Sequence, residues 1–274
     1  MGLIPPQFFD CVVALGQIQA DEQFIGIASG FLCGRFVKKI SEETSEYVVY
    51  LVTNRHVFEG LSELFVRFNP TRADQPAKSY RLNLLDQEKK PLWVAHLNKQ
   101  IDVAATRVPF NKLLEESMQV RYFRDDVDVA DVAKMNDLGM TEGDFAYVLG
   151  FPMQLVGARR NVVIARSATI ARIRDALSKE NPSYLIDSFV FPGNSGGPVI
   201  SKPEALSIVG TKSQNASYLI GIVKSYVTYR DVAVSLQTKQ TRVVFEENSG
   251  LAEVHPIDFV QETIDLAESV LQKI

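Results

Sequence analysis

The chain has 274 residues, 46% of them hydrophobic and 23% charged, with a formal net charge of −4 and an isoelectric point near 5.5. Such a composition belongs to a folded globular protein long enough to bury a sizeable core, and it excludes a disordered chain. The acidic balance argues against nucleic acid as a partner, which would need a clustered basic surface, and no run reaches the roughly 18 apolar residues of a membrane span.

The start, Met1 to Gln7, lacks a basic leader region, and Pro6 stands where a myristoylation pattern requires Ser or Thr, so neither secretion nor a lipid anchor is expected. From Phe9 to Val108 the pattern is one of short strands with a period close to two: Phe9–Leu15, Gly26–Phe36, Tyr47–Thr53, Leu64–Phe68, Tyr80–Leu85, Leu92–Leu97 and Val103–Val108. A closed antiparallel sheet of six or seven strands follows, because an open one would leave long apolar edges exposed. Cys11 and Cys33 fall in these runs and are expected as buried free thiols, with a cytoplasmic location as the default.

From Phe110 to about Gly143 the chain is rich in charge and compatible with short helices around Leu113–Met118 and Val129–Met135, which marks a linker over 121–143 between a first unit (1–120) and a second (144–255). Strands resume at Phe145–Leu149, Val162–Ala165, Ala168–Ile173, Leu185–Val190, Val199–Ser201, Leu219–Val223 and Val232–Leu236, giving a second antiparallel barrel of similar size. The one local basic run, Arg159, Arg160, Arg166, Arg172 and Arg174, reads as a solvated strand face. The tail, 256–274, is a helix: Pro256 suits a first turn, and Ile257, Val260, Ile264, Ala267, Leu271 and Ile274 recur at three- and four-residue spacing. Its apolar stripe is expected to dock on a barrel; a dimer seam is the rival use.

One stretch carries chemistry. Phe191-Pro192-Gly193-Asn194-Ser195-Gly196-Gly197-Pro198-Val199-Ile200 places a serine on a tight turn clamped between apolar runs. Glycines on both sides let a ligand approach the backbone, and the N–H groups of Gly193 and Ser195 could share an oxyanion. The looser G-x-S-x-G pattern of a strand-to-helix nucleophile does not apply, since Gly196, Gly197 and Pro198 would have to open the helix. A structural turn merely capped by the serine is the plain alternative, so partners decide. Of three histidines, His56 lies where a strand ends and a helical turn begins, at a position suited to a barrel rim; His96 reads as a strand residue and His255 as a cap on the approach to the helix. In Ile101-Asp102-Val103-Ala104-Ala105, a carboxylate opening an apolar strand needs a dedicated partner, and the ring N–H of His56 would supply it; a simple strand cap is the alternative.

Thr53-Asn54-Arg55-His56-Val57, Asp102-Val103-Ala104 and Gly193-Asn194-Ser195-Gly196-Gly197-Pro198, in that order, resemble the three signatures of the chymotrypsin-fold (trypsin-like) serine peptidases, and most of all the HtrA/Deg-type protease domain. Ala28-Ser29-Gly30-Phe31-Leu32, Val148-Leu149-Gly150-Phe151-Pro152 and Leu219-Ile220-Gly221-Ile222-Val223 agree, so the likeness spans roughly Val12 to Val254. The resemblance implies an all-β fold of two six-stranded antiparallel barrels with a C-terminal α-helix. It also implies a cleft in which Ser195 is nucleophile, His56 general base, Asp102 its orienter, and Gly193 and Ser195 the oxyanion hole. It implies a protein or peptide substrate, with no cofactor and no metal.

Several positions depart from the pattern. Asn194 stands where the digestive branch has an Asp that pairs with a freed N-terminus, so activation by propeptide cleavage is not expected. The pocket-floor position is Phe189, which predicts a small or aliphatic residue before the cut rather than Lys or Arg. Lys224 replaces a hydroxyl that in the family supports the aspartate, and Ser225 follows it. Lys224 to Tyr226 would pair an extended peptide as an added strand. A C-terminal PDZ peptide-binding module is not expected. The rival function is a protease-like peptide-binding module with little turnover, and ester hydrolysis shares the same acyl chemistry.

Overall fold

A computed structural model describes residues 3–204 and 212–271. Fourteen strands and six helices are named among them. The first half holds α1 (Pro6–Phe9), β1 (Val12–Ile18), β2 (Phe24–Lys39), β3 (Ser45–Thr53), α2 (Arg55–Phe58), β4 (Glu63–Phe68), β5 (Lys78–Asn83), β6 (Val94–Ala95), β7 (Ala104–Arg107) and α3 (Phe110–Glu115). Then come β8 (Phe123–Arg124), α4 (Val132–Leu138), β9 (Phe145–Gly150), β10 (Ile164–Arg172), α5 (Arg174–Leu177), β11 (Tyr184–Asp187), β12 (Pro198–Ser201), β13 (Leu219–Val234), β14 (Thr241–Pro256) and α6 (Asp258–Leu271). The second half closes into a six-stranded barrel in the order β10-β11-β14-β13-β12-β9. The first half is a curled eight-stranded sheet, β5-β4-β1-β2-β3-β7-β6 with β8 on β2. The all-β, chymotrypsin-like architecture is as expected, but the first sheet curls without the closed pairing predicted. Its β6 is only two residues long, too short to complete a ladder.

Period-two alternation in β1, β2 and β3 explains both the core and the seam. Val13, Leu15, Leu32 and Leu51 point into the first half's own core. Val12, Ala14, Phe31, Cys33, Tyr50 and Val52 point the other way, into a cluster shared with Leu149, Phe151, Ile200, Leu219 and Ile222 of the second half. Both faces are buried, so these strands read as nearly continuous apolar runs. Cys11 and Cys33 are buried free thiols, as expected. Helix α6 buries Val260, Thr263, Ile264 and Ala267 and packs on β6 and β7, so it docks on the first sheet. Pro256 ends β14 and does not open the helix, while Ile274 lies outside the described residues.

Polar contacts also tie the halves. The loop after β9 docks on the first sheet: Asn69 brackets the Asn161 backbone, Asn161 Nδ2 donates to Arg67 O, and Arg67 Nη1 donates to Gly157 O at 3.0 Å. Arg160 caps the carbonyls of Pro70, Arg72 and Gln75. The basic run is therefore not one solvated strand face. Arg159 and Arg160 clamp this loop, Arg172 pairs with Asp175, and Arg174 pairs with Glu142. Two strands predicted between Val162 and Ile173 are one, β10, and β13 with β14 runs on as a ribbon whose Val232 and Val244 are exposed.

Candidate active site

Strand β3 delivers Thr53 to the seam and hands over to α2, so Asn54, Arg55 and His56 project beside the 96–102 segment. All three grip it. Asn54 Nδ2 donates to Asp102 O at 2.6 Å. The Arg55 guanidinium donates to the carbonyls of His96 at 2.7 Å and Ile101 at 2.9 Å. The His56 amide donates to Asp102 Oδ1 at 3.1 Å, and its Nδ1 lies 2.6 Å from Asp102 Oδ2. The His56 side chain is 52% exposed, whereas that of Asp102 is 21% exposed. The hydrogen bond that the His56 ring N–H donates to Asp102 raises the imidazole pKa above its ordinary 6.5. Burial pushes the Asp102 carboxyl up, but its bonds to the His56 ring and amide outweigh that and hold it below the usual aspartate value. With Nδ1 spent on the carboxylate, Nε2 is left to handle a proton.

Asp102 is braced on its backbone as well. Its N–H donates to Nε2 of His255, 3.1 Å away, while Nδ1 of the same ring lies 2.9 Å from Pro182 O. His255 thus reaches across the seam and does not cap the helix approach. The hydroxyl of Ser225 lies 3.4 Å from Glu253 Oε2 and Lys224 pairs with the same carboxylate at 2.8 Å, so neither serves Asp102.

The Ser195 turn arrives from the closed barrel and locks onto the same seam. Ser29 N donates to Ser195 O at 3.0 Å. A Cβ on Gly196 would sit 2.2 Å from Thr53 Oγ1 and 2.3 Å from Ser29 O, a closeness that requires glycine, as does its φ of 80°. Thr53 lies three residues before His56, so the turn abuts the junction that carries the histidine. No hydrogen bond joins His56 to Ser195 among the described residues; such bonds often form only around a bound substrate.

Backbone accounting through the turn singles out two donors. Pro192 O accepts from Met153 N at 2.7 Å, Gly193 O from Ser29 Oγ at 2.6 Å, and Asn194 O from Gly197 N at 2.9 Å. Asn194 N donates to Phe191 O, Gly196 N to Val223 O, and Val223 N to Gly197 O. Among the described residues from Gly193 to Gly197, the N–H groups of Gly193 and Ser195 alone have no protein acceptor. Each opposes an anchored carbonyl across a trans peptide, so both amides are fixed in direction. Gly193 has φ 100°, and a Cβ there would meet Phe151 O at 2.4 Å.

Phe189, 52% exposed, stacks its ring near Gly250, where a Cβ would come within 3.5 Å of it. Asn194 is buried as a neutral amide. Beyond Ile222 the outer edge of β13 leaves its partner β12, and from Lys224 to Tyr226 it has no strand on that side among the described residues. Asn54, Arg55, Ser29 and His255 are the members sequence reading missed. The first two lie inside the motif that flagged His56, but backbone carbonyls as partners leave no mark in a sequence.

An all-β chain with two packed halves, a His–Asp pair from one and a glycine-bound serine turn from the other, has the architecture of the chymotrypsin-like hydrolases. The family model of the trypsin-like peptidase domain matches residues 28–210, and the chain belongs to that family. No curated protein matches it. Among the described residues no helix is long and apolar enough to cross a membrane.

Proposed function

We propose that the chain is a serine endopeptidase in which Ser195, His56 and Asp102 act as one proton-handling unit. The observation that carries this reading is the pair of unspent amides at Gly193 and Ser195, beside a serine whose turn abuts the His56–Asp102 pair. Ser195 Oγ bonds to the scissile carbonyl carbon as its proton passes to His56 Nε2, and the carbonyl π electrons move onto an oxygen held by the two amides. Collapse breaks the C–N bond, the leaving amine takes the proton from His56, and water repeats the sequence on the acyl-enzyme. Asp102 keeps the ring oriented and stabilises the imidazolium.

The substrate is an extended polypeptide that pairs with the open edge at Lys224, Ser225 and Tyr226, with its residue before the cut over Phe189. An aromatic floor favours a small or aliphatic side chain there. The motif likeness supports an HtrA/Deg-type site, and two buried thiols are consistent with a reducing compartment. A fluorophosphonate should label Ser195, and a proteome digest should show cuts absent with Ser195→Ala. The same open edge would serve a peptide-binding module without turnover; peptide binding with no labelling and no cuts would establish that reading instead.

A further inference from the structure

His255 is fully buried in β14, and the proton-transfer scheme does not use it. Its two ring nitrogens meet groups of opposite character. Pro182 O can only accept and the Asp102 N–H can only donate, so a single arrangement satisfies both, with hydrogen on Nδ1 and a lone pair on Nε2. Burial, then the nearby Lys224 charge, lower the imidazole pKa below 6.5 and keep that neutral form. The charged groups facing it are Lys224 from β13, Glu253 from β14 and Asp102 from the 96–102 segment, while Phe259 of α6 packs edge-on at 5.9 Å.

Asp102 needs such a partner. It lies between β6, which ends at Ala95, and β7, which begins at Ala104, so no ladder takes its N–H. At the family's supporting hydroxyl position this chain has Lys224, whose charge goes to Glu253. We propose that His255 is a positioning residue for Asp102: a tautomer-locked acceptor, carried by the opposite barrel, that fixes the Asp102 main chain and so aims its carboxylate at His56. Protonation of His255 would set an N–H against an N–H and release that aim. This proposal rests on the triad reading for its kinetic consequence, but not for its structural one.

The test uses the full chain and two variants. In His255→Gln the side-chain carbonyl reaches the place of Nε2 and still accepts from Asp102 N–H. In His255→Asn a donor remains for Pro182 O, but the shorter side chain cannot reach Asp102. NMR titration of the His56 ring should show the Asn variant falling back toward 6.5, with the Gln variant near wild type. On a cleaved peptide, kcat should fall about tenfold or more in the Asn variant, with KM within about twofold, and recover in the Gln variant. Imidazole 15N shifts in the wild type should show His255 neutral with hydrogen on Nδ1 from pH 6.5 to about pH 8. An unmoved His56 titration in folded His255→Asn, equal losses in both variants, or a protonated His255 across that range would overturn the proposal. If Ser195 neither labels nor turns over, the triad reading fails, and the His56 titration and the 15N shifts still decide the role of His255.

Discussion

Ser29→Ala removes one buried oxygen that joins three segments. The hydroxyl donates to Gly193 O at 2.6 Å and accepts from Phe151 N at 2.9 Å, in a residue with no solvent exposure. Alanine leaves a carbonyl and an amide without partners, each at about 1–3 kcal/mol, so a loss of roughly 2–6 kcal/mol is expected. For a chain of this size that is a fall in Tm of roughly 4–24 °C by calorimetry. The kinetic effect follows from Gly193, whose φ of 100° is held by this bond and by the contact of Pro192 O with Met153 N. With Gly193 O released, the Gly193 backbone is held only through the bond of Pro192 O to Met153 N, so its N–H is aimed less tightly and kcat falls by up to about 10²–10³-fold, the cost of losing one oxyanion donor outright, with little change in KM. Fluorophosphonate labelling should slow but persist, because Ser29 N still holds Ser195 O. A lowered Tm with wild-type kcat would refute the link between Ser29 and the oxyanion donors.

Activity should rise with pH as His56 loses its proton, with the midpoint of the acid limb of kcat/KM above 6.5, because Asp102 raises that pKa; an Asp102→Asn variant with an unshifted limb would contradict this. Stability is linked with both signs: the raised His56 contributes below pH 6.5 and its share is lost as pH climbs through its folded pKa, whereas the depressed His255 contributes above pH 6.5 and its share is lost as pH falls, so denaturant titrations should show stability declining on either side. Gly196→Ala, at φ 80° and 2.2 Å from Thr53 Oγ1, should cost about 2–5 kcal/mol and displace the Ser195 turn, which chemical denaturation and labelling rate together would register. Phe189→Asp should shift cleavage toward Lys and Arg before the cut, as read by mass spectrometry of peptide products; an unchanged profile would remove Phe189 from the specificity pocket.

Much of the architecture was legible along the chain. Alternating Val, Ile, Phe and Tyr located β1 to β4, and the tail's spacing located α6 and the face it buries. The Ser195 turn stood out because Gly196 and Pro198 between apolar runs can hardly be anything but a tight turn. The merging of Val162–Ala165 with Ala168–Ile173 into β10, and the reach of β13 and β14, were not legible: Glu246, Glu247 and Asn248 break the apolar pattern in a ribbon exposed on both faces, so no burial disciplines its sequence.

Residue chemistry alone marked the candidates for acyl transfer, since a hydroxyl, an imidazole and a carboxylate at Ser195, His56 and Asp102 are type-specific signals. Only the tertiary structure decided how they are held. Their supports are hydrogen bonds between the side chains of Asn54, Arg55, Ser29 and His255 and main-chain groups, mostly of residues far away in the chain. Every residue offers the same carbonyl, and every residue except proline the same amide, so a bond to one leaves no compositional trace, and which of them comes within 3 Å depends on where packing brings the two halves together.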